Sequence, residues 1–225
     1  MPGFVDAFLS RRGFKPMQRC LCMGNVEGDK DYTHLVAKKI KAIARRYGAI
    51  SLGSYAVHKW EHTRYTEPYM REDLGDYGIL IDTLEAGVTW DNLHRLHEGV
   101  RAYIKGRPDT MCMTHASHFY PQGTNLYFIF ITKCDNAADF KAYHATILDA
   151  IQKSGAAMSH HHGIGKMFAP WLEASLGENE YGIFRVLKDY FDPDYTMNPG
   201  GTIGLDLPEE EKRRLRDGNR DCKDD

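Results

Sequence analysis

Three consecutive histidines, His160, His161 and His162, run into Gly163-Ile164-Gly165-Lys166. Imidazoles titrate near neutrality and both donate and accept protons. Gly163 and Gly165 can take positive φ and let the backbone approach a ligand closely. Lys166 adds a cation for an anionic group. The same residue types also suit a surface loop, or a metal site built on His160 and His162. A Walker-type phosphate loop fits poorly, because the lysine arrives too soon.

The flanking elements must hold this loop in place. Gln18 to Val26 reads as a strand ended by Glu27-Gly28-Asp29. Leu35, Val36, Ile40, Ile43, Ala44 and Tyr47 fall on one helical face, with Gly48 as its stop. Ala49 to Leu52 reads as a short strand, and His58 to Met70 as a loop over a site. Tyr77 to Leu84 is expected to be a strand, and Thr89 the N-cap of a helix carrying Leu93, Leu96, Val100, Tyr103 and Ile104. Met111 to Tyr120 and Asn125 to Thr132 form two further strands joined by Pro121-Gln122-Gly123. A helix follows from Asn136 to its stop at Gly155. Beyond the histidines, Pro170 is expected to open a helix. Ile183, Phe184, Leu187, Tyr190 and Phe191 form a last apolar stripe, ended by Asp192-Pro193.

The order β-α-β, β-α-β-β-α-β, then helices, favours an α+β fold: an antiparallel sheet with helices on one face and a helical C-terminal segment. Residues 1–17 read as a lead-in and 18–158 as the substrate (cap) domain. Residues 159–206 carry the histidine loop and C-terminal helices, and 207–225 form a charged, solvated tail.

Composition narrows the function. With 29 basic and 31 acidic residues the formal net charge is -2, and a nucleic-acid binder would show a basic excess. Five cysteines, Cys20, Cys22, Cys112, Cys134 and Cys222, form no short framework. They read as reduced thiols in a cytoplasmic protein. Cys20 and Cys22 are expected to be buried on one face of a strand. There is no signal-peptide pattern and no apolar run of membrane-spanning length.

The stretch Met158 to Lys166 resembles the His-His-His-Gly-Ile/Val-Gly-Lys loop of alkyldihydroxyacetonephosphate synthases and their bacterial FAD-linked relatives, in the vanillyl-alcohol-oxidase superfamily. Pro170-Trp171-Leu172, Asp192-Pro193, Asn198-Pro199-Gly200 and Glu27-Gly28-Asp29 match that family in order. The resemblance covers most of residues 18 to 205. It implies FAD as cofactor and an exchange of an acyl group for a fatty alcohol, giving an ether lipid with no net redox change. It implies Tyr127 as the acid/base and Arg71 as the holder of the substrate's anionic headgroup, for which a guanidinium fork is suited. It gives His160, His161 and His162 catalytic roles beside the flavin. On the same resemblance, His118 and Lys166 are expected to contact substrate, and His162 and Asn198 to face the cofactor. Read without the resemblance, Arg71 could pair with Glu72 or Asp73, and Tyr127 could be a core or cross-strand aromatic. On a strand, Asn125 and Tyr127 share one face, opposite Leu126 and Phe128.

A related branch, the D-lactate and glycolate dehydrogenases, carries Gly-His-x-Gly-Asp-Gly-Asn-x-His at the turn where this chain reads Ser117 to Tyr127. His118 matches the first histidine, the aspartate is lost, and Tyr127 replaces the second histidine. Losing those ligands weakens a divalent site, so no metal is expected. The superfamily's FAD-binding domain precedes the cap, and Met1 to Pro16 is too short to be one. The chain is therefore read as a fragment, a split subunit or a stand-alone cap, inactive without a flavin domain. Its expected partners are an FAD-binding domain or subunit and a lipid-like or hydroxy-acid substrate. Peripheral membrane association and homodimerisation stay open.

Overall fold

The computed structural model describes residues 2–16, 18–66, 69–201 and 203–217, and Cys222 lies outside them. The chain divides into two compact units, Met1–Tyr69 and Met70–Asp225. The first contains α1 (Pro2–Arg11), α2 (Lys30–Arg46) and α3 (Tyr55–Thr63). Arg19 ties its N-terminal part together, donating to Asp6 Oδ1 at 2.6 Å and to the Phe14 carbonyl at 2.8 Å. The expected helix over Leu35 to Tyr47 is α2, but neither α2 nor α3 buries a residue.

Three expectations for this unit are corrected. Residues 18–26 and 49–52 are not strands. A strand exists only where another backbone accepts its ladder, and among the described residues neither segment has such a partner. Cys20 and Cys22 are accordingly exposed rather than buried. Much of the expected loop from His58 is helical, in α3, and residues 67 and 68 lie outside the described set.

The second unit begins with α4 (Met70–Gly75) and β1 (Ile79–Thr89). It continues with α5 (Leu93–Gly106), β2 (Met111–Ser117), β3 (Gly123–Lys133) and α6 (Ala137–Ser154). The sheet is antiparallel in the order β1-β3-β2. Alternation along β1 and β3 makes two faces. Leu84, Ala86, Val88, Leu126, Phe128 and Phe130 pack on one, against Leu96, Val100 and Ile104 of α5 and Ile147, Leu148 and Ile151 of α6. These apolar residues recur at helical spacing, so burying one stripe of each helix covers the whole inner face.

Local chemistry sets the helix ends. Asn136 caps α6, its side chain accepting from the Asp139 amide at 2.9 Å. Gly155 closes it at φ 74°, a left-handed conformation that suits glycine. The cap of α5 is Asn92 rather than Thr89, which still belongs to β1.

The C-terminal part holds α7 (Gly165–Leu176), α8 (Glu178–Phe191) and α9 (Glu209–Arg216). Pro170 lies inside α7 rather than at its start. Tertiary packing overrides the usual penalty for an interior proline: Ala169, Pro170, Trp171 and Leu172 are all buried, and Trp171 Nε1 donates to Asp149 Oδ1 of α6 at 2.7 Å. Part of the expected solvated tail is helical, as α9. It is held by buried Lys212, which donates to Glu173 Oε2 at 3.0 Å and Glu209 Oε1 at 2.7 Å. Among the described residues no helix is long and apolar enough to cross a membrane.

Candidate active site at the histidine loop

The face of the sheet opposite α5 and α6 carries the chemistry. Register places Glu85 directly across from Tyr127, and Tyr127 across from His115. Two residues along, Asn125 lies across from Gly87 and Ser117. Asn125 and Tyr127 therefore share a face, as their spacing predicts.

Backbone pairing brings the histidine loop to this face. The Gly87 amide donates to the Ala157 carbonyl at 3.2 Å, and the Ala157 amide donates back at 2.9 Å. Buried Ala156 and Met158 anchor the same segment in the core. The next residues thus cross over Glu85, two positions from Gly87 on the strand.

Glu85 is only 1% exposed, and a buried charge persists only when it is paired and hydrogen-bonded. Its Oε1 accepts from Ser159 Oγ at 2.8 Å and from the amides of His160, His161 and His162 at 2.9, 2.7 and 2.6 Å. Its Oε2 accepts from Asn125 Nδ2 at 2.6 Å and faces His161 Nδ1 at 3.1 Å. Burial opposes the charge, but the amides of His162 and His161, the Asn125 amide and the Ser159 hydroxyl outweigh it. They hold the carboxyl far below the usual range. Asn125 Oδ1 is buried without a hydrogen-bond partner.

The rings gather above this anchor. Tyr127 Oη lies 3.1 Å from His118 Nδ1 and 3.3 Å from His161 Nε2. His160 Nε2 lies 3.1 Å from Tyr120 Oη, and its Nδ1 lies 3.0 Å from His161 Nδ1. His162 packs its ring against Tyr127 and His161 at 5.5 and 4.6 Å between centroids. His118, with φ 56°, is also bonded to Ser117 Oγ at 2.9 Å. A half-buried phenol set between two imidazoles can lose and regain a proton.

The sequence-expected residues are partly brought together. Tyr127, His118 and the three histidines form one cluster. Lys166 lies in the first turn of α7 beside the Asn198-Pro199-Gly200 turn, its Nζ 3.6 Å from where a Cβ on Gly200 would sit. Arg71 is exposed on α4. Among the described residues it makes no hydrogen bond or ion pair with the cluster, nor with Glu72 or Asp73.

Sequence reasoning missed Glu85, Tyr120 and His115. Glu85 lies beyond Leu84, the expected end of the strand, which in fact runs on to Thr89; once it does, a lone glutamate among Leu84, Ala86, Gly87 and Val88 demands a buried partner.

Ring and carboxylate atoms of His118, His160 and His161 come within 4.8 Å of one another, as do those of Glu85, His161 and His162. A divalent ion could bridge such spacings only by competing with the contacts His161 makes to Glu85, Tyr127 and His160, and no metal is assigned to them. A flat group has better access. Gly163 and Gly165 have φ 83° and 53°, and a Cβ built on either meets nothing within 4 Å. With the three imidazoles exposed beside them, these residues fit a planar ring system such as flavin laid against the loop.

Residues 3–202 match the family described as "FAD linked oxidases, C-terminal domain". The chain belongs to this family. FAD is the cofactor of FAD-linked oxidases, and the α+β fold with its three-stranded antiparallel sheet is that of this C-terminal domain. Alkyldihydroxyacetonephosphate synthase of Dictyostelium discoideum is 32% identical over 197 residues, covering 84% of this chain and 32% of the relative. An FAD-linked oxidoreductase of Escherichia coli is 27% identical over 199 residues, covering 81% of this chain and 41% of the relative. A solved structure of alkyldihydroxyacetonephosphate synthase superposes with a TM-score of 0.53 at 25% identity, over 74% of this chain and 28% of the other. The FAD-linked oxidase C-terminal domain seen here thus spans about a third of the length of the curated synthase it matches.

Proposed function

We propose that this domain is the substrate-facing part of an FAD-dependent enzyme of the alkyldihydroxyacetonephosphate synthase kind, exchanging an acyl for an alkyl group to form an ether lipid. The observation that carries the reading is Tyr127, whose hydroxyl sits between His118 and His161 at 3.1 and 3.3 Å. Tyr127 moves the proton, and His160 to His162 orient the substrate and relay protons. FAD, when bound, would supply the electron-accepting ring, and His162 and Asn198 are the residues we assign to contact it. Arg71 and Lys166 are the cations offered to an anionic headgroup.

The sheet supports a lipid-like substrate. Beyond Tyr127, the same face carries Ile129 and Ile131 of β3, Met111 and Met113 of β2, and Ile81 of β1. These are half-buried or exposed, not packed in the core. At about 3.4 Å per residue the strip runs roughly 14 Å from Tyr127 to Ile131, which suits an extended hydrocarbon chain.

A second reading, an FAD-linked oxidoreductase acting on a hydroxy acid, is favoured by the grouping of His118, His160 and His161 nitrogens within 4.8 Å. The two are separated by supplying the chain with a flavin-bearing partner and assaying ether formation and flavin reduction. Ether formation that falls about 100-fold or more in Tyr127→Phe and His161→Ala supports the synthase reading. Flavin reduction by a 2-hydroxy acid without ether formation overturns it.

A further inference from the structure

The two oxygens of Glu85 do different work. Oε1 alone holds the loop, through Ser159 and the three histidine amides. Oε2 is not needed for that, yet it faces His161 Nδ1 at 3.1 Å. A carboxylate only accepts hydrogen bonds. A proton on His161 Nδ1 is the arrangement that turns a positive edge, not a lone pair, toward the carboxylate, and in the neutral ring Nε2 then keeps its lone pair. Tyr127 Oη lies 3.3 Å from that Nε2 and in this tautomer is the donor to it. The Tyr127 oxygen is then available to accept from His118 Nδ1 at 3.1 Å. His161 Nδ1 also lies 3.0 Å from His160 Nδ1, so its one proton is shared between Glu85 Oε2 and that acceptor, while His160 Nε2 can donate to Tyr120.

We propose that Glu85 is a positioning residue, which fixes the tautomer of His161 through Oε2 and so aims the Tyr127 hydroxyl proton at Nε2. This rests on the reading of Tyr127 as the group that moves a proton. The step it supports breaks the Tyr127 O–H bond and forms an N–H bond at His161 Nε2. A neutral pair becomes tyrosinate and imidazolium with no change in total charge, and the imidazolium stays paired with Glu85. The groups facing His161 are Glu85 from β1, Tyr127 from β3, His118 from the β2–β3 turn, and His160 and His162 beside it. Glu85 alone among them is a carboxylate.

Glu85→Gln separates positioning from anchoring. The Gln oxygen in place of Oε1 can accept the same four loop bonds. Its NH2 in place of Oε2 donates to His161 Nδ1, which forces the ring proton onto Nε2. Asn125 can accommodate the change by turning its amide, because its buried Oδ1 has no partner to lose. Long-range proton–nitrogen NMR on the full chain, without flavin or substrate, reads the ring tautomers directly. The expected result is Nδ1–H at His161 in the wild type and Nε2–H in Glu85→Gln, with the thermal midpoint within a few degrees. With a flavin-bearing partner, kcat should fall about 100-fold or more while KM changes less than about threefold.

A wild-type His161 protonated at Nε2 overturns the proposal even if the variant fails to fold. An unchanged tautomer in Glu85→Gln, or an equal change in all three loop histidines, leaves Glu85 as an anchor only and also overturns it. A tautomer switch in a chain that never supports turnover would leave this inference standing and sink the proposed function. Loss of turnover in Tyr127→Phe without the switch would do the reverse.

Discussion

Helices α5 and α8 are both 14 residues long and both carry an apolar stripe, yet one stripe is buried and the other faces solvent. Leu96, Val100 and Ile104 of α5 are fully buried. Ile183, Leu187 and Phe191, at the same spacing on α8, are 62, 49 and 73% exposed, and only Tyr181 of that helix is buried. Periodicity states that a face would gain by being covered; it does not state what covers it. For α5 the answer lies in the connection. Three residues separate β1 from α5, too few to carry the helix away from the sheet. α8 follows α7 across Gly177, at φ 87°, and turns one flank toward α7 while the rest stays open.

The largest test of that contrast is a paired truncation. Ile104→Ala should cost about 3 kcal/mol in chemical denaturation, because it leaves a cavity in a packed core. Leu187→Ala should cost less than about 0.5 kcal/mol, the usual size for an open surface. Equal losses would mean that the α8 stripe is covered in solution.

The covered side should also respond to pH. His144 is buried on α6, and burial pulls its pKa down to about 4 against the opposing pull of Asp82. Below about 6.5 the unfolded chain takes up a proton that folded His144 refuses until about 4. Stability should therefore decline as pH drops through that window, by as much as about 3 kcal/mol, and this contribution should level off below it. Thermal midpoints measured from pH 7 to 4 should fall less steeply in His144→Leu.

Caps give a smaller difference. Asn136→Ala should destabilise by about 1 kcal/mol, since it removes the side-chain cap of α6. α8 has no side-chain cap, so Glu178→Ala should cost only the few tenths, about 0.3 kcal/mol, of a first-turn charge. The smallest effect is expected for Leu187→Lys. Its melting point should stay within about 2 °C of wild type, while binding of a hydrophobic dye falls. A large drop in melting point would show that the exposed stripe supports the fold.

The sheet and its two covering helices were legible in the sequence because each declares itself locally. Asn136 and Gly155 bracket α6, and Pro121-Gln122-Gly123 marks the joint between β2 and β3. Gln18 to Val26 misled because strand formation depends on a partner distant in sequence, and no composition signal reports one. Pro170 misled because the cost of a proline inside a helix can be offset by packing that only the tertiary structure supplies. Within the site, Tyr127 and the histidines were singled out through resemblance, and spacing alone left them ambiguous. Glu85 stayed hidden because its importance lies in what crosses it, a loop 74 to 77 residues further along.

That crossing has a consequence for timing. Ordering a residue's backbone costs about 1–2 kcal/mol of conformational entropy. The carboxylate in β1 collects three successive amides and a hydroxyl, so for Ser159 to His162 this cost is met when the chain folds, not when a ligand arrives. An incoming molecule would find the loop backbone already set, with only ring rotations left to arrest. Binding energy that a mobile loop would consume in settling is left for holding and distorting the substrate.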